Sequence, residues 1–192
     1  MSRQSNVYRI MLAICVRSCM GLVGLAALNA CQTATFKEYH ILPRYQGEEV
    51  GSLATVRYVT DPNERAAMKL YVRDGLLTDQ NGDSLDPATD KFPDRDGLAI
   101  FVMDRQQQIY VSFDHVQNKF HHSSILAGQP VLAAGDMTIV QGKLLELTNS
   151  SGHYRPGPKT LELVMMRLKE MGVDMSEVKV VALHGSKKRS QK

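Results

Sequence analysis

Gly97-Leu98-Ala99-Ile100-Phe101-Val102-Met103-Asp104 and Gln108-Ile109-Tyr110-Val111-Ser112-Phe113 decide the fold class. Both runs are rich in residues suited to a strand, and the short polar stretch Asp104-Arg105-Gln106-Gln107 folds one back on the other as a hairpin. Downstream, residues 120–127 and 130–134 read as further strands. They lead into residues 137–140 and 143–147, joined at Gln141-Gly142, and a second turn, Asn149-Ser150-Ser151-Gly152, precedes His153-Tyr154-Arg155-Pro156. The period then changes. Leu161, Val164, Met165, Leu168 and Met171 repeat at helical spacing on one face near residues 158–171, with Gly172 as the stop. Residues 178–183 read as a last strand. Upstream, residues 52–59 suit a strand, and Asp61-Pro62-Asn63-Glu64 has the form of a capping box opening a short helix through about Met68. Asp74-Gly75 and Asn81-Gly82 mark turns, the second inside an acidic loop that runs to Asp96. The expected fold is a single α+β domain, a mainly antiparallel sheet with one packed C-terminal amphipathic helix and a short N-terminal helix.

The chain has 192 residues with 23 Lys+Arg against 20 Asp+Glu. Its charge is unevenly placed. Arg3, Arg9 and Arg17 stand in an acid-free start, and Lys187, Lys188, Arg189 and Lys192 in the last residues. That leaves 23 − 3 − 4 = 16 bases against 20 acids in residues 31–185, a net of 16 − 20 = −4. A mildly acidic body without Trp offers neither the electrostatic footprint nor the aromatic platform of a nucleic-acid binder, so no nucleic-acid partner is expected.

Residues 1–30 have the layout of an export signal: a long start with three arginines, then Ser18 to Leu28 (SCMGLVGLAAL), 11 apolar or small residues. Leu28-Asn29-Ala30-Cys31 resembles the bacterial lipobox, whose cysteine is lipidated. A membrane-spanning helix fits less well, because the apolar run is shorter than the roughly 20 residues a bilayer needs. Extending it back to Ile10 buries Arg17 at about 2.5–3.5 kcal/mol. An ordinary signal peptide with a free Cys31 is the other alternative. Once Cys15 and Cys19 are removed with the signal, Cys31 is the sole cysteine, and a lipid thioether would account for it. The expected organisation is a lipoprotein signal peptide at 1–30, a lipid-anchored tether at 31–48, the α+β module at 49–185 and a basic tail at 186–192. With Gln32 after the cysteine, the outer membrane is the expected address.

Phe120-His121-His122-Ser123-Ser124-Ile125-Leu126-Ala127-Gly128, Ala133-Ala134-Gly135-Asp136, Gly142-Lys143-Leu144 and Ser151-Gly152-His153-Tyr154-Arg155-Pro156 carry a resemblance. Together they resemble a module of bacterial polymorphic toxins and effector-like proteins, and a similar string marks the plant IQM family of IQ-motif calmodulin-binding proteins. Arg73-Asp74-Gly75-Leu76-Leu77 and Ala99 to Asp104 resemble the toxin-associated version, so the likeness covers about residues 57–158. It implies no assigned reaction. Where the family usually has Glu after Ala-Ala-Gly, this chain has Asp136, with the same charge and a shorter reach. No IQ helix is visible, so calmodulin is not expected as a partner.

His121, His122, Ser123, Ser124, His153, Tyr154, Arg155 and Asp136 are the candidate catalytic or ligand-binding residues. On a strand, His121 and Ser123 would share one face and His122 and Ser124 the other. One histidine of the doublet with a serine hydroxyl, His153, Tyr154 and Arg155 would suit an anionic or carbonyl group. The plainer alternative is that this turn closes the sheet onto the last helix. No metal site is expected: H-x-x-x-H spacing is missing and no cysteine is available. Asp79-Gln80-Asn81-Gly82-Asp83-Ser84 opens like a calcium loop but lacks Gly at the sixth position and Glu at the twelfth. A Ser–His–Asp hydrolase lacks its G-x-S-x-G elbow. No cofactor is expected.

The sequence thus predicts a membrane-anchored envelope lipoprotein displaying a module that binds a small molecule or partner protein. An effector- or toxin-type enzyme, a transferase or hydrolase using the same segments, is the alternative, and a structural envelope lipoprotein is a third.

Overall fold

The computed structural model describes residues 36–51, 55–87 and 97–183. Cys31 and the export segment lie outside the described residues. The elements, in chain order, are a 3-10 turn at Pro43–Tyr45, α1 (Pro62–Ala67), β1 (Tyr71–Arg73), β2 (Leu76–Thr78), β3 (Leu98–Met103), β4 (Ile109–Ser112), α2 (His122–Ile125), β5 (Ala133–Val140), β6 (Lys143–Thr148), α3 (Lys159–Glu170) and β7 (Lys179–Val181). The main sheet runs β4-β3-β5-β6-β7, and β1-β2 is a separate hairpin. Every pairing in the main sheet is antiparallel except β6 with β7. The fold is α+β, as the sequence indicates.

β3 explains why. All but its first residue are buried, and its side chains alternate between two cores. Ala99, Phe101 and Met103 face a core shared with Leu161, Val164 and Leu168 of α3. Ile100 and Val102 face a second core with Ile125 of α2, Phe120, Tyr154, Ile41 and Val59. A strand covered on both sides reads as an unbroken apolar run. Each large side chain fully buried in this way contributes about 1.5–3 kcal/mol of transfer free energy. The β5–β6 connection is the expected two-residue turn, with Gln141 and Gly142 both left-handed at φ 49 and 75, the pair that a type I′ hairpin requires.

Three local expectations are corrected. Residues 120–127 do not form a strand. Ser124 Oγ accepts the His121 backbone N–H at 3.0 Å, which caps α2 instead. Residues 55–59 form no ladder either. The N–H of Arg57 donates to the Lys119 carbonyl and that of Val59 to the Ser124 carbonyl, both outside the sheet. At α1, Asp61 does accept from the Asn63 N–H at 2.9 Å, but Glu64 pairs with Arg57 rather than reaching back to the cap.

Candidate functional site

The second core carries the chemistry-bearing residues along one rim. Because α2 is a helical turn, His121 stands at its N-cap and His122 and Ser123 in its first turn, so consecutive side chains fan toward the same region. His122 is buried, and its Nε2 lies 2.9 Å from the Gly135 carbonyl oxygen. A carbonyl only accepts, so Nε2 carries the hydrogen. Asp136 Oδ1 stands 3.6 Å from the same nitrogen, and it is buried with no hydrogen-bond partner.

Glu48 ties the rest together. Ser123 Oγ donates to Glu48 Oε1 at 2.7 Å, and His153 Nε2 meets Oε2 at 3.1 Å. The Tyr58 hydroxyl donates to Oε1 at 3.4 Å. His153 lies between two rings, stacked on Tyr45 at 4.1 Å and on His121 at 4.6 Å. His115 meets His121 and His122 edge-on at 5.8 and 5.9 Å. The cluster is closed over: the His153 side chain is 10 % exposed and that of Glu48 13 %.

Burial, then the neighbouring His153, lowers the pKa of His121. Burial lowers that of His153 as well, against the opposing pull of Glu48. Burial, reinforced by Glu48 and Glu49, raises the Tyr58 phenol, which therefore stays a donor. The folded-state pKa of each of these two histidines is depressed, while the unfolded ring titrates near about 6.5. As pH falls below that value the unfolded chain takes up protons first, so stability is constant above it and declines through the window beneath. The urea midpoint is expected to be lower at pH 5.5 than at pH 7.5, and His153→Gln is expected to remove part of that slope. A His153→Gln variant with an unchanged slope would contradict the assignment.

Of the sequence candidates, the fold brings His121, His122, Ser123 and His153 together, with Asp136 behind His122. Ser124 serves as the α2 cap, and the Tyr154 hydroxyl donates to the Gln129 carbonyl at 2.8 Å in the core. Arg155 is exposed in a left-handed turn at φ 45. Glu48, Tyr45, Tyr58 and His115 were not singled out from the sequence, since none belongs to a spaced motif. Among the described residues, no group of three or more His, Cys, Asp or Glu is arranged to hold a metal ion. Asp79 instead accepts the N–H groups of Asn81 and Asp83 in its own turn.

The profile of the IQ motif-containing protein middle domain matches residues 64–161. IQ domain-containing protein IQM3 of Arabidopsis thaliana is 38% identical over 81 residues, 42% of this chain and 18% of that protein. IQM4 is 33% identical over 118 residues, 62% of this chain and 21% of its own length. IQM1 is 32% identical over 124 residues, 65% and 24% respectively. The chain thus spans about a fifth of the length of these relatives. No solved structure matches. These plant relatives overturn the expectation of a secreted, outer-membrane bacterial lipoprotein bearing a toxin-like module or effector enzyme. The matching family is one of IQ-motif proteins, and the same finding removes the expectations of a lipid anchor and of no calmodulin partner. Among the described residues, no helix is long and apolar enough to cross a membrane.

Proposed function

Because this chain belongs to the IQ motif-containing protein middle domain family, we propose that it is a ligand-binding module linked to a calmodulin-type calcium sensor. The cluster around His153 is its ligand site. The observation that carries the site is the meeting of Ser123, His153 and Tyr58 on one carboxylate, with the Tyr45 ring stacked on His153. Such convergence of polar groups at the edge of an apolar core is the usual form of a small-ligand site. The desolvated imidazoles favour their neutral form, so each can donate from one ring nitrogen and accept at the other.

The calmodulin link rests on family membership and is tested directly. Calorimetric titration of the full chain with calmodulin, once with calcium and once with a chelator, is expected to show saturable binding in at least one condition. No heat of binding in either condition would overturn the link. His153→Gln is expected to leave that binding intact, because the ligand site and the sensor contact are separate parts of this reading.

A further inference from the structure

The geometry points to a carboxylate-binding site formed by Ser123, His153 and Tyr58, filled in this state by the chain's own Glu48 as an internal stand-in for an outside ligand. This deepens the reading of the His153 cluster as a ligand site and does not depend on the calmodulin link.

Three observations carry it. First, the groups that meet Glu48 can all donate, and both of its oxygens are used: Oε1 by Ser123 and Tyr58, Oε2 by His153. Donors converging on a charged acceptor are the stronger kind of hydrogen bond and select for an anion. Second, Glu48 arrives on a strap held to the body near it by side chains, Tyr45 stacked on His153 and Glu49 beside Tyr58, and not by its backbone. The backbone N–H groups of Tyr45, Gln46, Glu48 and Val50 all donate within the strap, to Leu42, Pro43, Tyr45 and Gly47. The cross-links that tie the strap's own backbone to the body lie earlier, at Tyr39 with Val131 and Leu42 with the His153 carbonyl. Third, Glu48 is flanked by Gly47 at φ 78 and Gly51 at φ 100, and at neither would a Cβ meet any atom within 4 Å. Glycine is needed there for its backbone, not for space, and both conformations are costly for other residues. The strap also lies outside residues 64–161, the part matched by the family profile. When the strap swings out, Ser123, His153 and Tyr58 lose the carboxylate acceptor they share.

The ligand class is therefore a carboxylate, carried either by a small free acid or by an acidic segment of a protein. Glu48→Ala empties the site, and acetate and a tetraglutamate peptide serve as probes against chloride at matched ionic strength. At about ten times its Kd, acetate is expected to raise the melting midpoint of Glu48→Ala by roughly 3–5 °C more than that of wild type. The gain is expected to vanish in the Glu48→Ala, Ser123→Ala double variant. A gain with acetate alone assigns a small acid, and a gain with both probes assigns an acidic segment. If Glu48→Ala does not fold unaided, recovery of its circular dichroism on adding acetate reads the same quantity. No excess shift or recovery, or one that survives Ser123→Ala, overturns the proposal. Calmodulin binding without an acetate effect overturns the carboxylate site alone. An acetate effect without calmodulin binding overturns the link alone.

Discussion

Gly135→Ala is expected to cost about 3 kcal/mol or more, the upper end of what overpacking a core exacts. A Cβ at this position would stand 1.9 Å from the Thr148 carbonyl oxygen and 3.0 Å from the Asn149 Cα, all backbone on the facing strand. Neither neighbour can turn aside as a side chain could. β5 would have to part from β6 next to the bulge at Thr138 and Ile139. The damage would extend to the site, because the Gly135 carbonyl is the acceptor for His122 Nε2. Urea unfolding of the variant checks the figure. A loss below about 1 kcal/mol would mean that the two strands stand farther apart than described.

Asn149→Ala is expected to cost about 2–4 kcal/mol: the buried Pro156 carbonyl loses its partner, at about 1–3 kcal/mol, and the N–H of the exposed Leu183 loses a bond worth about 1 kcal/mol. Asn149 is fully buried at the end of β6. Its Nδ2 donates to the Pro156 carbonyl at 2.8 Å and its Oδ1 accepts the Leu183 N–H at 2.7 Å. One side chain thus holds both ends of the turn that presents His153 and fastens the chain just after β7. Asn149→Asp separates the two bonds: it keeps the acceptor for Leu183 but sets a carboxylate against the Pro156 carbonyl. It is expected to be at least as destabilised as Asn149→Ala, and a near-neutral Asn149→Asp would show that the Pro156 bond contributes nothing.

The sequence discloses those parts of the fold whose information is local. α3 was legible because Leu161, Val164 and Leu168 recur at helical spacing and are all buried, and Met165 and Met171 pack at the same core's margin. The β3–β4 hairpin was legible because two apolar runs flank a short polar turn. α2 was not. Phe120 and Ile125-Leu126 are apolar runs too short to show a period, and a serine-to-backbone cap decided the outcome. The site was half legible for the same reason. His121, His122, Ser123 and His153 sit in recognisable strings, whereas Glu48 is one acid in an aperiodic stretch, separated by 75 residues from Ser123 and by 105 from His153. Arg155 failed in the opposite sense: a charge beside a motif residue is placed by the turn, and this turn points it to solvent.

The two-sided burial of β3 has a consequence for how the strands find their alignment. In a sheet with one wet face, a one-residue slip is punished at once, because every apolar side chain turns outward. β3 has no wet face, so a slipped β3 would still bury its side chains and the hydrophobic penalty for misalignment is small. The discrimination falls instead on places where only the absence of a side chain fits. Gly97 is that place for β3 on β5, since a Cβ there would press to 2.5 Å on the Ile139 carbonyl oxygen, and Gly135 is the corresponding place for β5 on β6, against the Thr148 carbonyl oxygen. A shift of one residue would drive Leu98 or Ala134 into those gaps. The two glycines thus work as notches that admit a single alignment, and correct pairing in this protein is enforced by steric refusal more than by the pull of the core.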